Sequence, residues 1–205
     1  LQWSCTKEES DSNNDAASYK TVTIGTQVWM TENLRATKFS NGDDIPNLIE
    51  SNQWSSAFQP AYCKYENSDS LAGIFGNLYN RHVITDSRGI CPTGWHVPTQ
   101  AEWETLIENL GGENIAGGKM KEMGFTNWNE PNVAATNESG FTGIGSGIRI
   151  EAGEFRYLKT YAAFWANRND ENSAYKYCGL SHNYERCGLG SYGANTGISI
   201  RCIKN

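Results

Sequence analysis

The residue types best suited to chemistry in this chain are its six cysteines, one Glu-Pro-Asn triplet and a crowd of late aromatic residues. Cys178 and Cys187 lie nine positions apart in YCGLSHNYERCG, with His182 between them and Arg186 beside the second, neighbours able to lower a thiol pKa. Such a pair is either a redox dithiol, which needs an accessible thiolate and a resolving partner, or a disulfide that clips a Gly-rich loop. In an exported protein the clip is the stronger reading. Glu130-Pro131-Asn132 offers a carboxylate and an amide carbonyl fixed by a proline turn, hard oxygens for a calcium ion that also accepts vicinal hydroxyls. A plain turn through Pro131 and Asn132 accounts for the same residues. Tyr157, Tyr161, Phe164, Trp165, Tyr175, Tyr177, Tyr184 and Tyr192 crowd the last third, where Gly and Asn are also abundant. Rings stack on sugar faces and anchor protein contacts at low entropic cost, which makes Tyr157, Tyr161, Trp165, Tyr175, Tyr184 and Tyr192 the candidate ligand-binding residues. The competing account is a small core built from rings.

The remaining groups offer less. The turn Asn41-Gly42-Asp43-Asp44 and the cluster Asn169-Asp170-Glu171-Asn172 lack the alternating oxygen ligands of an EF-hand loop. Asp170 joins Glu130 and Asn132 as a lesser calcium candidate, and no other cofactor is expected. His82 and His96 stand apart from other ligands, and His96, near Trp95 and Pro98, is expected to be a hydrogen-bonded core residue rather than a base. No Ser/His/Asp constellation, phosphate loop or paired-carboxylate signature stands out, so catalysis is not expected. None of the cysteines shows CxxC spacing or a zinc-like Cys/His cluster. The favoured pairings are Cys178 with Cys187 and Cys91 with Cys202, a long-range staple, leaving Cys63 unpaired; Cys63 with Cys202 stays open.

These groups need a scaffold, and its elements can be read in order. TVTIGTQVWM alternates apolar and polar residues across Gly25-Thr26, where Gly supplies the positive φ of a tight turn, and predicts a β-hairpin. Residues 38–59 carry turn signals at Asn41-Gly42 and Ile45-Pro46 and a weak helical stretch near Trp54. In CPTGWHVPTQAEWETLIENLGG, Thr99 and Glu102 form a capping box, and Trp103, Leu106, Ile107 and Leu110 follow at helical spacing. A helix over about 100–110 with a buried stripe is expected, then a shorter one from Ile115 to Met123, weakened at Gly117 and Gly118 by about 1 kcal/mol each. From Gly124 onward the chain reads as short strands and loops. The terminal GISIRCIKN sets Ile198, Ile200 and Cys202 on one strand face and Ser199 and Arg201 on the other. A hairpin first, two main helices in the middle and strands last argue for an α+β domain with an antiparallel sheet.

The 205 residues fit one or at most two domains. With 38% hydrophobic residues, 12% aromatics and 21 glycines, the core is built from large rings joined by irregular loops, which excludes collagen, coiled coil and wholesale disorder. Lys and Arg number 17 against 23 acids, a net charge of −6, which lacks the footprint of a phosphate-backbone binder, so nucleic acid is not a partner. No apolar run approaches the about 20 residues that span a bilayer. Residues 1–18 hold one lysine and four acids with almost no apolar content after Trp3 and read as a disordered tether. Cys5 ahead of it resembles the acylation site of a bacterial lipoprotein, with the tether as spacer. The expected address is export to the outer membrane or cell surface, with membrane contact only through the lipid anchor.

Six ordered blocks then carry a resemblance: GTQVWMTENLR, YCKYEN with FGNLYN, CPTGWHVPTQAEW, GGKMKE, ATNESGFTGIGSG and ISIRCIKN. Together, over about 19–205, they resemble the Fibrobacter succinogenes major paralogous domain. That resemblance implies a loop-rich fold related to formylglycine-generating enzymes and C-type lectins, with the first and last strands side by side, in proteins that are typically exported and often lipid-anchored. It implies no catalytic residue. Formylglycine-generating enzymes use a late cysteine pair, which keeps a thiol oxidase through Cys178 and Cys187 as the alternative activity. Glu130-Pro131-Asn132 resembles the triplet by which mannose-type lectins hold calcium and sugar. Where members of the family often carry Trp-Trp-Ser-Ser, this chain has Phe164-Trp165-Ala166-Asn167, which implies an altered loop interaction there. The expected partner is a glycan or a surface protein, bound without catalysis; a purely structural part in a surface assembly is the remaining alternative.

Overall fold

A computed structural model describes residues 19–168 and 175–205. The expected tether 1–18 with Cys5, and Asp170 with its neighbours Asn169, Glu171 and Asn172, lie outside the described residues. The chain runs β1 (Thr21–Ile24), β2 (Gln27–Met30), α1 (Ser51–Ser55), β3 (Tyr62–Lys64), α2 (Asp69–Phe75), β4 (Asn77–Tyr79), α3 (Arg81–Thr85), β5 (Trp95–His96), α4 (Gln100–Asn109), α5 (Glu113–Met120), β6 (Ser146–Arg149), β7 (Phe155–Leu158), β8 (Tyr161–Ala166), β9 (Lys176–Ser181), β10 (Cys187–Gly190) and β11 (Ile203–Lys204).

The strands form four small antiparallel sheets, ordered β1-β2-β11-β5, β10-β9-β8, β3-β4 and β6-β7. The class is α+β, with five α-helices rather than two among the described residues. Three of them span only five to seven residues, too few for a 3.6-residue period to show in sequence. The expected hairpin is β1-β2, turning at Gly25 with φ +60°. α4 follows its pattern: Thr99 and Glu102 cap each other, and Trp103, Leu106 and Ile107 are buried. α5 begins and ends earlier than the 115–123 expected from sequence. Its glycines are sites of close backbone approach: a Cβ on Gly117 would lie 2.5 Å from the Arg186 carbonyl oxygen, and one on Gly118 would lie 2.6 Å from that of Ala134.

The chain end departs from a two-faced strand. Ile198 bridges Tyr79 of β4, and Ser199 bridges Phe164 of β8. The Leu34 amide donates to the Ile200 carbonyl at 2.9 Å, and the Met30 amide to that of Cys202 at 3.1 Å, before Ile203 pairs with Trp29 and His96. This segment therefore threads the middle of the molecule, and both its faces are buried, Ser199 and Arg201 included. On the face opposite Ile200 and Cys202, Arg201 donates from Nε to Asn33 Oδ1 at 2.9 Å, its other nitrogens donate to the carbonyls of Phe141 and Thr142, and the Phe141 ring lies 4.2 Å away. Burial lowers its guanidinium to about 9, so it stays charged at neutral pH. Arg149 is buried in the same manner, donating to the carbonyls of Leu48, Ile49 and Gly153 with Trp54 and Phe155 against its guanidinium.

Two large apolar clusters flank this segment. One gathers Met30, Tyr79, Trp165, Ile198 and Ile200; the other gathers Trp29, Trp103, Phe141 and Phe164. No helix among the described residues is long and apolar enough to cross a membrane.

Candidate functional site

Two adjoining cavities, of about 450 and 540 Å³, open at the tip end of the β8-β9-β10 sheet and share Tyr161 and Ser181 in their walls. Tyr157, Thr160, His182, Asn183 and Tyr192 complete the first. Tyr177, Tyr184, Arg186 and Leu189 line the second over Gly179, Gly188 and Gly190. The groove is built by two hairpins, β6-β7 with its exit to β8, and β9-β10, whose turn at 182–186 supplies most of the polar groups.

The rings are arranged in pairs. Tyr177 and Tyr192 stack with centroids 4.2 Å apart and planes 14° from parallel, while Tyr157 meets Tyr161 edge-on at 6.4 Å. Glycines make room for them: a Cβ on Gly179 would lie 2.4 Å from the Tyr161 hydroxyl, and one on Gly190 would lie 2.5 Å from Tyr177. The phenols of Tyr161, Tyr177 and Tyr192 lie close enough to perturb one another's ionisation. Burial, then the neighbouring Tyr177, pushes Tyr161 well above the ordinary phenol value, and burial lifts Tyr192 to about 12. Both phenols therefore remain protonated and available as donors at physiological pH. Tyr157 and Tyr184 are 58% and 60% exposed, so their rings present open faces.

The turn at 182–186 is fixed from behind. The fully buried Lys121 donates from Nζ to the carbonyls of Val133, Ser181 and Tyr184 at 2.8–2.9 Å. Burial pulls this ammonium down to about 8, with Glu185 opposing the shift. The His182 amide donates to the Thr160 carbonyl at 3.0 Å, and His182 Nδ1 lies 2.8 Å from the Glu130 carbonyl oxygen.

Of the candidate ligand-binding residues, Tyr157, Tyr161, Tyr184 and Tyr192 meet at this groove. Trp165 does not. It is fully buried, its indole N–H donating to the Tyr79 carbonyl at 2.7 Å, because β8 is covered on both faces and a ring there belongs to the core. Tyr175 is also outside the groove lining, half-buried between the guanidinium groups of Arg81 and Arg168 at 5.2 and 5.1 Å. Thr160, Ser181, Asn183 and Arg186 were not singled out as ligand contacts, since nothing in their spacing distinguishes them from ordinary loop residues.

The other candidates resolve into local structure. Asn132 is buried, with Nδ2 donating to the carbonyls of Glu122 and Gly124 and Oδ1 without a partner, so the amide braces its own loop instead of standing beside the exposed Glu130. Among the described residues, no group of three or more His, Cys, Asp and Glu converges as a metal site. His96 is half-exposed rather than in the core and bonds Asn205 and Glu102 at 2.7 and 2.9 Å.

Cys91 and Cys202 are joined by a disulfide across 111 positions. Cys63 is a buried thiol, pushed by desolvation to about 12. Cys178 and Cys187 are separate thiols, both fully buried, with sulfurs 2.6 Å apart. Burial raises the Cys178 thiol well above its ordinary value, the reverse of what an activated nucleophile requires.

Compared with known families, residues 22–204 match the model described as the Fibrobacter succinogenes major domain. No curated protein and no solved structure matches the chain.

Proposed function

We propose that this chain, which belongs to the Fibrobacter succinogenes major domain family, is a non-catalytic binding domain whose tyrosine groove takes a glycan. One observation carries the reading: five tyrosines line two adjoining cavities together with hydroxyl, amide and imidazole groups. Sugars present apolar C–H faces rimmed by hydroxyls, and this wall offers stacking faces beside hydrogen-bond donors and acceptors, the Arg186 guanidinium among them. The inaccessible Cys178 and Cys187 favour binding over the thiol-oxidase alternative. We further read the domain as a variant of the C-type-lectin-like and formylglycine-generating-enzyme-like fold, a reading supported by the pairing of its first hairpin with its last strand. In this proposal the domain is exported and held at the outer membrane or cell surface through acylated Cys5, with residues 1–18 as its tether.

The test is titration calorimetry against a panel of soluble plant and bacterial polysaccharides, with and without a calcium chelator. Tyr157→Ala and Tyr184→Ala remove exposed rings and should each weaken binding by about 1–3 kcal/mol with little change in thermal midpoint. Unaltered affinity in both variants would refute the groove. Loss of binding on chelation alone would show a calcium-held sugar instead.

A further inference from the structure

We infer that Cys178 and Cys187 form a second covalent bridge, closed before the β9-β10 hairpin is buried, which holds the binding groove in shape. Cys178 lies opposite Leu189 and Cys187 opposite Leu180, which places the two cysteines diagonally on one face of the hairpin. Their sulfurs are 2.6 Å apart, and both side chains sit in the apolar cluster with Met120, Trp128 and Leu180. The ring closed by such a bond contains Ser181, His182, Asn183, Tyr184 and Arg186, which line the two cavities. Lys121 already ties the carbonyls of Ser181 and Tyr184, so the bridge secures the base of a hairpin whose tip is fixed independently.

The chemistry sets the order of events. Forming the bond breaks two S–H bonds and makes one S–S bond; two protons and two electrons pass to an oxidant of the disulfide class, which leaves as two thiols. Exchange proceeds through a thiolate and needs access to sulfur. Once the hairpin is packed, neither sulfur is exposed and burial disfavours ionisation of Cys178. The step therefore belongs to the open hairpin during folding, and the same burial shields the bond afterwards. An oxidant of this class is the one that the Cys91–Cys202 bond also requires. The bridge itself stands apart from the glycan proposal; only its benefit to binding, a smaller ordering cost in the loop, rests on that reading.

Protein purified without reductant is unfolded in the presence of an alkylating reagent and digested with trypsin. Mass spectrometry should find peptide 177–186 joined to 187–201, two hydrogens lighter than the sum, beside peptide 89–119 joined to 202–204 and an alkylated Cys63 in 39–64. The Cys91–Cys202 link reports that the sample was oxidised. Separately alkylated Cys178 and Cys187 in that sample overturn the inference. In a Cys178→Ala/Cys187→Ala variant, amides 181–186 should exchange with deuterium at least about tenfold faster, a readout that needs no ligand. Unchanged exchange refutes the bracing role. Should the double variant fail to fold, Cys187→Ser alone serves in the same measurement. A mapped bridge with faster exchange in the variant, but no polysaccharide bound by the parent protein, would sink the glycan proposal and leave this one standing.

Discussion

Lys121, Arg149 and Arg201 are buried cations whose donors go to main-chain carbonyls, save the Arg201 Nε that donates to Asn33 Oδ1. A loop-rich fold has many carbonyls outside regular ladders, and each needs a donor once water is removed. One long cationic side chain can serve three loop carbonyls at once, which explains charge placed where its desolvation is costly. The cost gives a testable sign. The Lys121 ammonium is held near 8 in the folded protein against 10.5 ordinarily, so between those values the unfolded chain binds more protons. Relative to Lys121→Met, the parent protein should gain stability as pH rises from about 8 to about 10.5, by up to about 3 kcal/mol, and show no further trend below 8. Urea midpoints of the two proteins across this range decide it, and a difference that falls with rising pH contradicts the burial argument. None of these roles was legible in sequence. Alternation sets Arg201 opposite Ile200 without saying what covers that face, and GGKMKE shows nothing of the carbonyls that arrive from residues 133, 181 and 184.

At the scale of the element, legibility followed length and local punctuation. α4 has ten residues, a capping box and a four-residue apolar stripe, so sequence and structure agree on it. Trp103 packs against Trp29, Phe141 and Phe164, and Trp103→Ala should destabilise by about 3–5 kcal/mol. Thr99→Ala, which removes half of the cap, should cost only about 1 kcal/mol. Denaturation midpoints should separate the two plainly, and equal effects would mean that the helix is held by its end rather than its face. In α5, Gly117 and Gly118 read as weak helix formers, whereas both are needed where the 185–186 and 134 backbones press against the helix. The tyrosines show a related limit. Crowding marked the third of the chain from which the groove tyrosines come, but only the strand pairing distinguishes Tyr161, at the rim of β8, from Trp165 within its covered stretch.

For the molecule as a whole, the proximity of the opening hairpin to the closing strand was implied by the family resemblance, and the contact is made by Ile203 on Trp29 and by the Met30 amide on the Cys202 carbonyl. The Cys91–Cys202 bond ties that same strand to the segment before β5. Replacing both cysteines by serine frees a long loop in the unfolded chain and should lower stability by about 2–5 kcal/mol. A thermal midpoint unmoved by this change would show that packing alone holds the terminus.

The threaded segment 198–203 has a further consequence for biogenesis. Its partners in β2, β4, β5 and β8 are all synthesised before it, yet each must wait for it to complete its hydrogen bonds. During vectorial synthesis the emerging polypeptide therefore stays open until segment 198–203 itself clears the exit. A version ending at Gly197 should be an unfolded, protease-sensitive chain rather than a slightly weakened domain, and circular dichroism would show it at once.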